Sequence, residues 1–243
     1  MLVAADRIVT PARVLAPGWL LVEGARVAEV GSGDPPRPPD VALPGATVVP
    51  GFVDVHTHGG GGASFDGGDA DAVATGVRTH LAHGTTSTVA SLVSASPEAL
   101  LGAVRRLADL ADDGLLAGIH LEGPWLSARR AGAHDPRVLR DPEPAEIDAL
   151  LDAGRGHVRM VTLAPERAGG LEAVRRLVRA GVAVAIGHTE ATYDETRAAL
   201  EAGASVATHL FNAMPALHHR APGPVAALLE HPDAYVELVA DGV

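Results

Sequence analysis

The segment Pro50-Gly51-Phe52-Val53-Asp54-Val55-His56-Thr57-His58 divides the chain into two stretches of different pattern. Before it, residues 2–4, 7–9, 20–23 and 27–30 are short apolar or alternating pieces cut by Pro11, Pro17, Gly18 and Gly24. They predict strands of a small β domain over residues 1–50. Pro35, Pro36, Pro38, Pro39 and Pro44 make 31–45 read as a surface loop, with one more strand at 47–49.

After it, apolar strands alternate with helical stretches. The strands fall at 53–56, 85–90, 118–122, 158–163, 182–186, 205–209 and 235–240. The helices carry their own signals. Ser96-Pro97-Glu98 supplies a cap, a proline for the first turn and an acid at the positive end of the dipole, and Asp141-Pro142-Glu143 repeats the arrangement. Thr192 with Glu195 makes a capping box, and Gly181 and Gly203 end helices. Near-continuous apolar strands between helices predict an α/β parallel sheet covered on both faces. Seven such strands with polar C-terminal ends favour a (β/α)8 TIM-type barrel over an open sheet. Residues 51–243 fall short of the roughly 250 such a barrel takes. An incomplete barrel of about seven strands, truncated before the last, is therefore expected.

Composition removes several functions. A net charge of −11 and 3% aromatic residues leave no basic face and few stacking platforms for nucleic acid. No apolar run reaches the roughly 18 residues of a membrane span, and the first eleven residues lack a signal peptide's layout. With no cysteine, disulfides, thiol catalysis and thiolate metal sites are excluded, and a cytoplasmic setting fits. All 19 basic residues are arginine. Schiff-base chemistry, a Walker-type phosphate loop and a carboxylated-lysine metal bridge are thereby excluded. Twelve histidines carry the remaining chemistry.

His56 and His58 end the first barrel strand, two residues apart and so about 6.5 Å apart on one face, a spacing suited to two imidazole ligands. Glu122 ends an apolar strand, where an unpaired carboxylate is costly, so an arginine or a metal must compensate it. His188 and His209 end two further strands. One strand-end histidine is more often a hydrogen-bonded core residue than a ligand, but four strand ends presenting His, Glu, His and His point to a shared metal site. His80 and His83 read as solvated or capping residues, and His157 and His231 as turn residues. His120 is open between packing and a hydrogen bond to a ligand. His134 and His218-His219-Arg220 lie on loops at the active end, where function is commoner. Gly59-Gly60-Gly61-Gly62 reads as a flexible turn rather than a phosphate cradle.

Residues 50–58 resemble the first-strand signature of the amidohydrolase superfamily. The series Gly84-Thr85-Thr86-Ser87, His120-Leu121-Glu122-Gly123-Pro124, Gly132-Ala133-His134, Thr162-Leu163-Ala164-Pro165-Glu166, Gly187-His188-Thr189, Thr208-His209-Leu210-Phe211-Asn212-Ala213-Met214 and Ala240-Asp241-Gly242 is similar, in order and spacing, to the N-acetylglucosamine-6-phosphate deacetylases.

The resemblance implies a principal metal on Glu122, His188 and His209, with His56 and His58 free for a second, the cation being divalent zinc or iron. It implies substrate contacts from Ala133, His134, Asn212, Ala213, Arg220, Asp241 and Gly242. Arg220 suits a sugar phosphate, and His134 could donate to the acetyl oxygen. Lysine usually stands where Ala131 is found here. The implied reaction is hydrolysis of the N-acetyl group of N-acetylglucosamine 6-phosphate. The aspartate that moves the proton in such enzymes is expected beyond Val243, leaving no proton-transfer residue within the chain. Two rivals stand: another amidohydrolase acting on a cyclic amide or nucleobase, and a metal-binding protein without turnover. The partner is a small sugar phosphate, with no nucleic acid or membrane, and relatives often form homodimers.

Overall fold

The computed structural model describes residues 1–67, 69–239 and 241–242. The chain divides into two compact units, Met1–Phe52 and Val53–Val243. In the first, β1 (Leu2–Val9) runs antiparallel to β2 (Val14–Leu15) and β3 (Gly18–Glu23). β4 (Arg26–Ser32) adds to β3, and β5 (Val41–Val48) lies parallel to β1. Ala5, Ile8 and Leu15 form a small core against which Leu20 and Val48 pack.

Two expectations for this unit need correction. β1 is one strand rather than pieces at 2–4 and 7–9, because a register shift against β5 between Ala5 and Arg7 is absorbed within it. β5 begins at Val41, inside the stretch read as loop. Pro44 and Gly45 fall between the paired positions Leu43 and Thr47, where the ladder is interrupted and a missing amide hydrogen costs little.

The second unit follows from β6 (Phe52–Thr57), which begins at the boundary. A short hairpin, β7 (Gly59–Gly60) and β8 (Ala63–Ser64), leads to α1 (Ala70–Leu81) and β9 (Thr85–Leu92). Then come α2 (Pro97–Asp112), β10 (Gly118–Glu122), α3 (Pro144–Gly154), β11 (Val158–Leu163) and α4 (Gly170–Arg179). β12 (Ala183–Ile186), α5 (Tyr193–Glu201), β13 (Val206–Ala207), α6 (Gly223–Glu230) and β14 (Tyr235–Val236) complete it. The sheet order is β6-β9-β10-β11-β12-β13-β14, and the pairings from β9 to β14 are all parallel. Helix residues Val104, Leu107, Ile147, Val174 and Leu177 share one core with Ile119, Leu121, Val161, Leu163 and Val184 of the strands. The sheet curls until His56, on its first strand, comes within 2.9 Å of the Glu237 carboxylate just past its last. It is a seven-stranded part of a TIM-type barrel, and a small N-terminal β domain precedes it.

The helix signals act locally. Ser96 accepts from the Ala99 N–H with Pro97 in the first turn of α2, and the Thr192–Glu195 capping box opens α5. The start of α3 is displaced: its cap is Glu143, without a side-chain bond, and Asp141 instead pairs with Arg167 at 2.7 Å. β13 and β14 are shorter than expected; β13 stops before His209, where the chain leaves the extended region with φ +29°. Ala240, expected to end β14, lies outside the described residues. Among the described residues, no helix is long and apolar enough to cross a membrane.

Candidate metal centre

Glu122 is the hub. It ends β10 buried at 4% exposure, and its two oxygens face five histidines. Oε1 lies 3.1 Å from both His188 Nε2 and His209 Nε2, and those two nitrogens are 3.0 Å apart. Oε2 lies 3.0 Å from His58 Nε2, Oε1 lies 3.5 Å from His56 Nε2, and the two Nε2 atoms are 3.2 Å apart. A tetrahedral site with metal–ligand distances of about 2.0–2.1 Å has ligand–ligand edges of about 3.3–3.4 Å. The triangle of Glu122 Oε1, His188 Nε2 and His209 Nε2 has edges a little under that length, and His56 and His58 meet the same carboxylate through its two different oxygens at comparable separations. The donor set is therefore of the right size and chemistry to hold a divalent cation.

The backbone that aims these groups is shaped for the purpose. His188 and His209 sit at φ +48° and +29°, a left-handed conformation that turns each side chain out of its strand into the mouth. Gly123, at φ +84°, follows Glu122, and a Cβ there would lie 2.2 Å from Ser94 Oγ. A Cβ on Gly187 would lie 2.7 Å from the Thr208 side chain. Only glycine lets the ends of β10 and β12 approach their neighbours this closely.

Hydrogen bonds behind the rings fix their tautomers. His188 Nδ1 donates to the Arg130 carbonyl at 2.7 Å, and His56 Nδ1 donates to Glu237 at 2.9 Å, so in each ring Nε2 is the nitrogen that would give up its proton to a cation. His134 is arranged the other way. Its Nδ1 accepts the Ser94 backbone N–H at 3.2 Å, so Nε2 carries the hydrogen that points 3.4 Å to Glu122 Oε2. His134 is thus a donor at the edge of the centre and a poor ligand. Burial opposes ionisation of Glu122, but hydrogen bonds from His134, His188, His209 and His56 hold its carboxyl well below the usual carboxylate range. Burial also opposes the charge on His56, yet Glu122 and Glu237 push it up to about 9.

The remaining candidates separate. Asn212 donates through Nδ2 to the carbonyls of His209 and Leu210, and Ala213 accepts the Thr189 N–H, so both join the loops that carry His209 and His188. His134 is buried and its neighbour Ala133 is exposed on the same turn. Arg220 is exposed, and among the described residues it hydrogen-bonds His218 and His219 and makes no ion pair. Asp241 and Gly242 are exposed beyond β14. His120 is fully buried and bonds Ser91 at 2.9 Å and Thr162 at 2.8 Å, neither of them a ligand, with its ring edge-on to His56. Burial, then the nearby His56, keep it neutral. His80 is not simply solvated: it reaches the Gly59 carbonyl at 2.8 Å and pins the β7–β8 hairpin, so the glycine run is a tied turn rather than a loose one.

Sequence reasoning missed Ser94, Ser91, Thr162, Thr208 and Glu237. Of these, Glu237 had a readable signal, a lone acid in the apolar run Tyr235-Val236-Glu237-Leu238-Val239, the same signal that marked Glu122.

Residues 47–243 match the Amidohydrolase family. The N-acetylgalactosamine-6-phosphate deacetylase of Escherichia coli O157:H7 is 38% identical over 232 residues, 93% of this chain and 61% of that protein. The N-acetylglucosamine-6-phosphate deacetylase of Vibrio furnissii is 34% identical, over 90% of this chain and 56% of its own. The crystal structure of N-acetyl-D-glucosamine-6-phosphate deacetylase from Mycobacterium smegmatis superposes with a TM-score of 0.98 at 56% identity, covering 100% of this chain and 64% of that one. A mutant of that protein has been solved in complex with N-acetyl-D-glucosamine-6-phosphate. The chain spans about three fifths of the length of these relatives. Because the family match takes in the whole second unit and every residue of the centre, the chain belongs to the amidohydrolase family.

Proposed function

We propose that this chain forms the metal-binding part of a deacetylase that hydrolyses the N-acetyl group of N-acetylglucosamine 6-phosphate, giving glucosamine 6-phosphate and acetate. The observation that carries this reading is the convergence on Glu122 of two histidine pairs and one oppositely polarised histidine, His134. Glu122, His188 and His209 would hold the principal cation, and His56 and His58 a second. Zinc or iron suits three nitrogen and oxygen ligands with an open position. When bound, such a cation supplies water activated near neutral pH and Lewis-acid polarisation of a carbonyl.

The chain's own residues do the rest. His134, kept as the Nε2–H tautomer by Ser94, donates to the acetyl oxygen as negative charge develops there. Asn212 and Ala213 line the rim beside the loops of His209 and His188, where the sugar ring would lie. Arg220, exposed and without a carboxylate partner among the described residues, offers its guanidinium fork to the 6-phosphate, a positive anchor in a chain of net charge −11. Ala133, Asp241 and Gly242 complete the proposed substrate contacts. The cysteine-free composition supports a cytoplasmic setting.

The E. coli relative, named for the galactosamine epimer, makes the sugar's 4-hydroxyl the point to test. Acetate release by the metal-loaded full-length protein should be measured on N-acetylglucosamine 6-phosphate, its galactosamine epimer, unphosphorylated N-acetylglucosamine and a cyclic amide. Preference for the phosphorylated glucosamine substrate is expected. Turnover of the cyclic amide alone, or of none of the four, would defeat the proposal.

A further inference from the structure

We infer that Glu237 is a positioning residue for the His56–His58 side of the centre, holding the His56 imidazole from behind so that its Nε2 faces the cation. This rests on the reading of His56 and His58 as ligands. Glu237 is itself fixed by its backbone: its N–H donates to the Ala207 carbonyl at 2.9 Å, and its carbonyl accepts the Leu210 N–H at 2.8 Å. From that anchored position its carboxylate crosses from the last strand to the first, and Oε2 accepts from His56 Nδ1 at 2.9 Å. The same oxygen lies 3.4 Å from the His209 backbone N–H. One side chain thereby ties the ends of β6 and β13 together.

The physical reason for a charge here is specific. The Glu237 side chain is only 16% exposed, and among the described residues its buried Oε1 finds no hydrogen bond. A carboxylate so placed costs free energy that an apolar residue would avoid. What it supplies is a fixed acceptor for the Nδ1–H of His56, which selects the tautomer, orients the ring and strengthens Nε2 as a donor. Among the described residues His58 has no such support, its Nδ1 being buried without a hydrogen bond, as is that of His209. The order of this ligand pair therefore depends on His56, and the order of His56 depends on Glu237.

The test is a titration of the metal-free full-length protein with zinc against a competing chelator, repeated with cobalt(II) to read the visible absorption of each equivalent. Wild type, Glu237→Ala, Glu237→Gln and His56→Ala are compared. Glu237→Ala should weaken the second equivalent by roughly 10–100-fold while the first shifts much less. Glu237→Gln keeps an acceptor oxygen for Nδ1–H and should recover most of that loss. His56→Ala should abolish the second equivalent. An unchanged second equivalent in Glu237→Ala, with His56→Ala deficient, would overturn the positioning role alone. If His56→Ala also leaves metal uptake unchanged, the ligand reading of His56 falls and the inference falls with it.

Discussion

The two histidine pairs that meet Glu122 are built on different supports. His188 and His209 leave β12 and β13, strands with hydrogen-bonded neighbours on either side. They turn out through left-handed backbone, and His188 is tied to a main-chain carbonyl. His56 and His58 lie at the end of β6, the outermost strand of the sheet on its side, whose Phe52, Val53 and Val55 are exposed. They stay in or beside extended backbone and are steadied by side chains: Glu237 behind His56, the His120 ring edge-on to it, and Ser91 Oγ accepting the Thr57 N–H at 3.0 Å. His58 is the most exposed of the four at 36% and His188 the least at 6%, while His56 at 15% and His209 at 18% are alike. Backbone support makes one half of the centre rigid, whereas borrowed side-chain support makes the other half conditional.

The largest effect should come from the residue both halves share. Glu122→Gln should strip metal from both, with a loss beyond the roughly 100-fold typical of a missing supporting group, while circular dichroism still reports a folded chain. Undiminished metal by elemental analysis would break the comparison at its root. Removing one half at a time sharpens it. His188→Ala should lose the tighter equivalent and nearly all turnover, whereas His56→Ala should retain one tightly bound cation. Equal retention in both variants would show the halves to be equivalent.

His134 belongs to the rigid half, its ring packed edge-on against His188 with centroids 4.7 Å apart. If it acts as a preorganised donor, His134→Ala should lower kcat by about 10²–10³-fold with little change in metal content. A drop in metal of the same size would instead make it a ligand. Arg220 is remote from this contrast and should respond more weakly. Arg220→Ala should weaken the phosphorylated sugar ten- to hundredfold relative to the unphosphorylated one, for a contact of roughly 1.5–3 kcal/mol. Equal losses for both sugars would leave Arg220 without a phosphate role.

The smallest effect is a pH dependence confined to the conditional half. Without metal, burial opposes the charge on His56, yet Glu122 and Glu237 push its pKa from the ordinary 6.5 up to about 9. Its contribution to stability is then complete below about pH 6.5 and fades as pH rises through about 9. The Tm of metal-free protein should fall over that interval, and His56→Gln should flatten the fall. A wild-type Tm that is level across it would remove the electrostatic coupling of His56 to Glu122 and Glu237.

Much of this organisation was legible in the sequence, for a definite reason. A carboxylate at the end of an apolar strand must be compensated, which marks Glu122, and the histidines stand out jointly, because four strand ends presenting His, Glu, His and His point to one site. The β/α alternation and the Ser96 and Thr192 caps are local signals, and they act locally in the fold. The misreadings came from partners far apart in sequence. His80 needed the Gly59 carbonyl, and Asp141 was drawn to Arg167 rather than to a helix start, while the choice left open for His120 is decided for packing by Ser91 and Thr162. Glu237 and His56 are 181 residues apart, and only the curl of the sheet brings them together. The extent of β5 depended on a register shift that composition does not encode.

The most direct test is anomalous X-ray scattering from crystals of the zinc-loaded protein, collected at the metal absorption edge. A strong peak is predicted within about 2.0–2.2 Å of Glu122, His188 Nε2 and His209 Nε2, with a weaker one beside His56 and His58 that fades in Glu237→Ala. A single peak seated on His134 in place of His209, or none near Glu122, would contradict the centre described above.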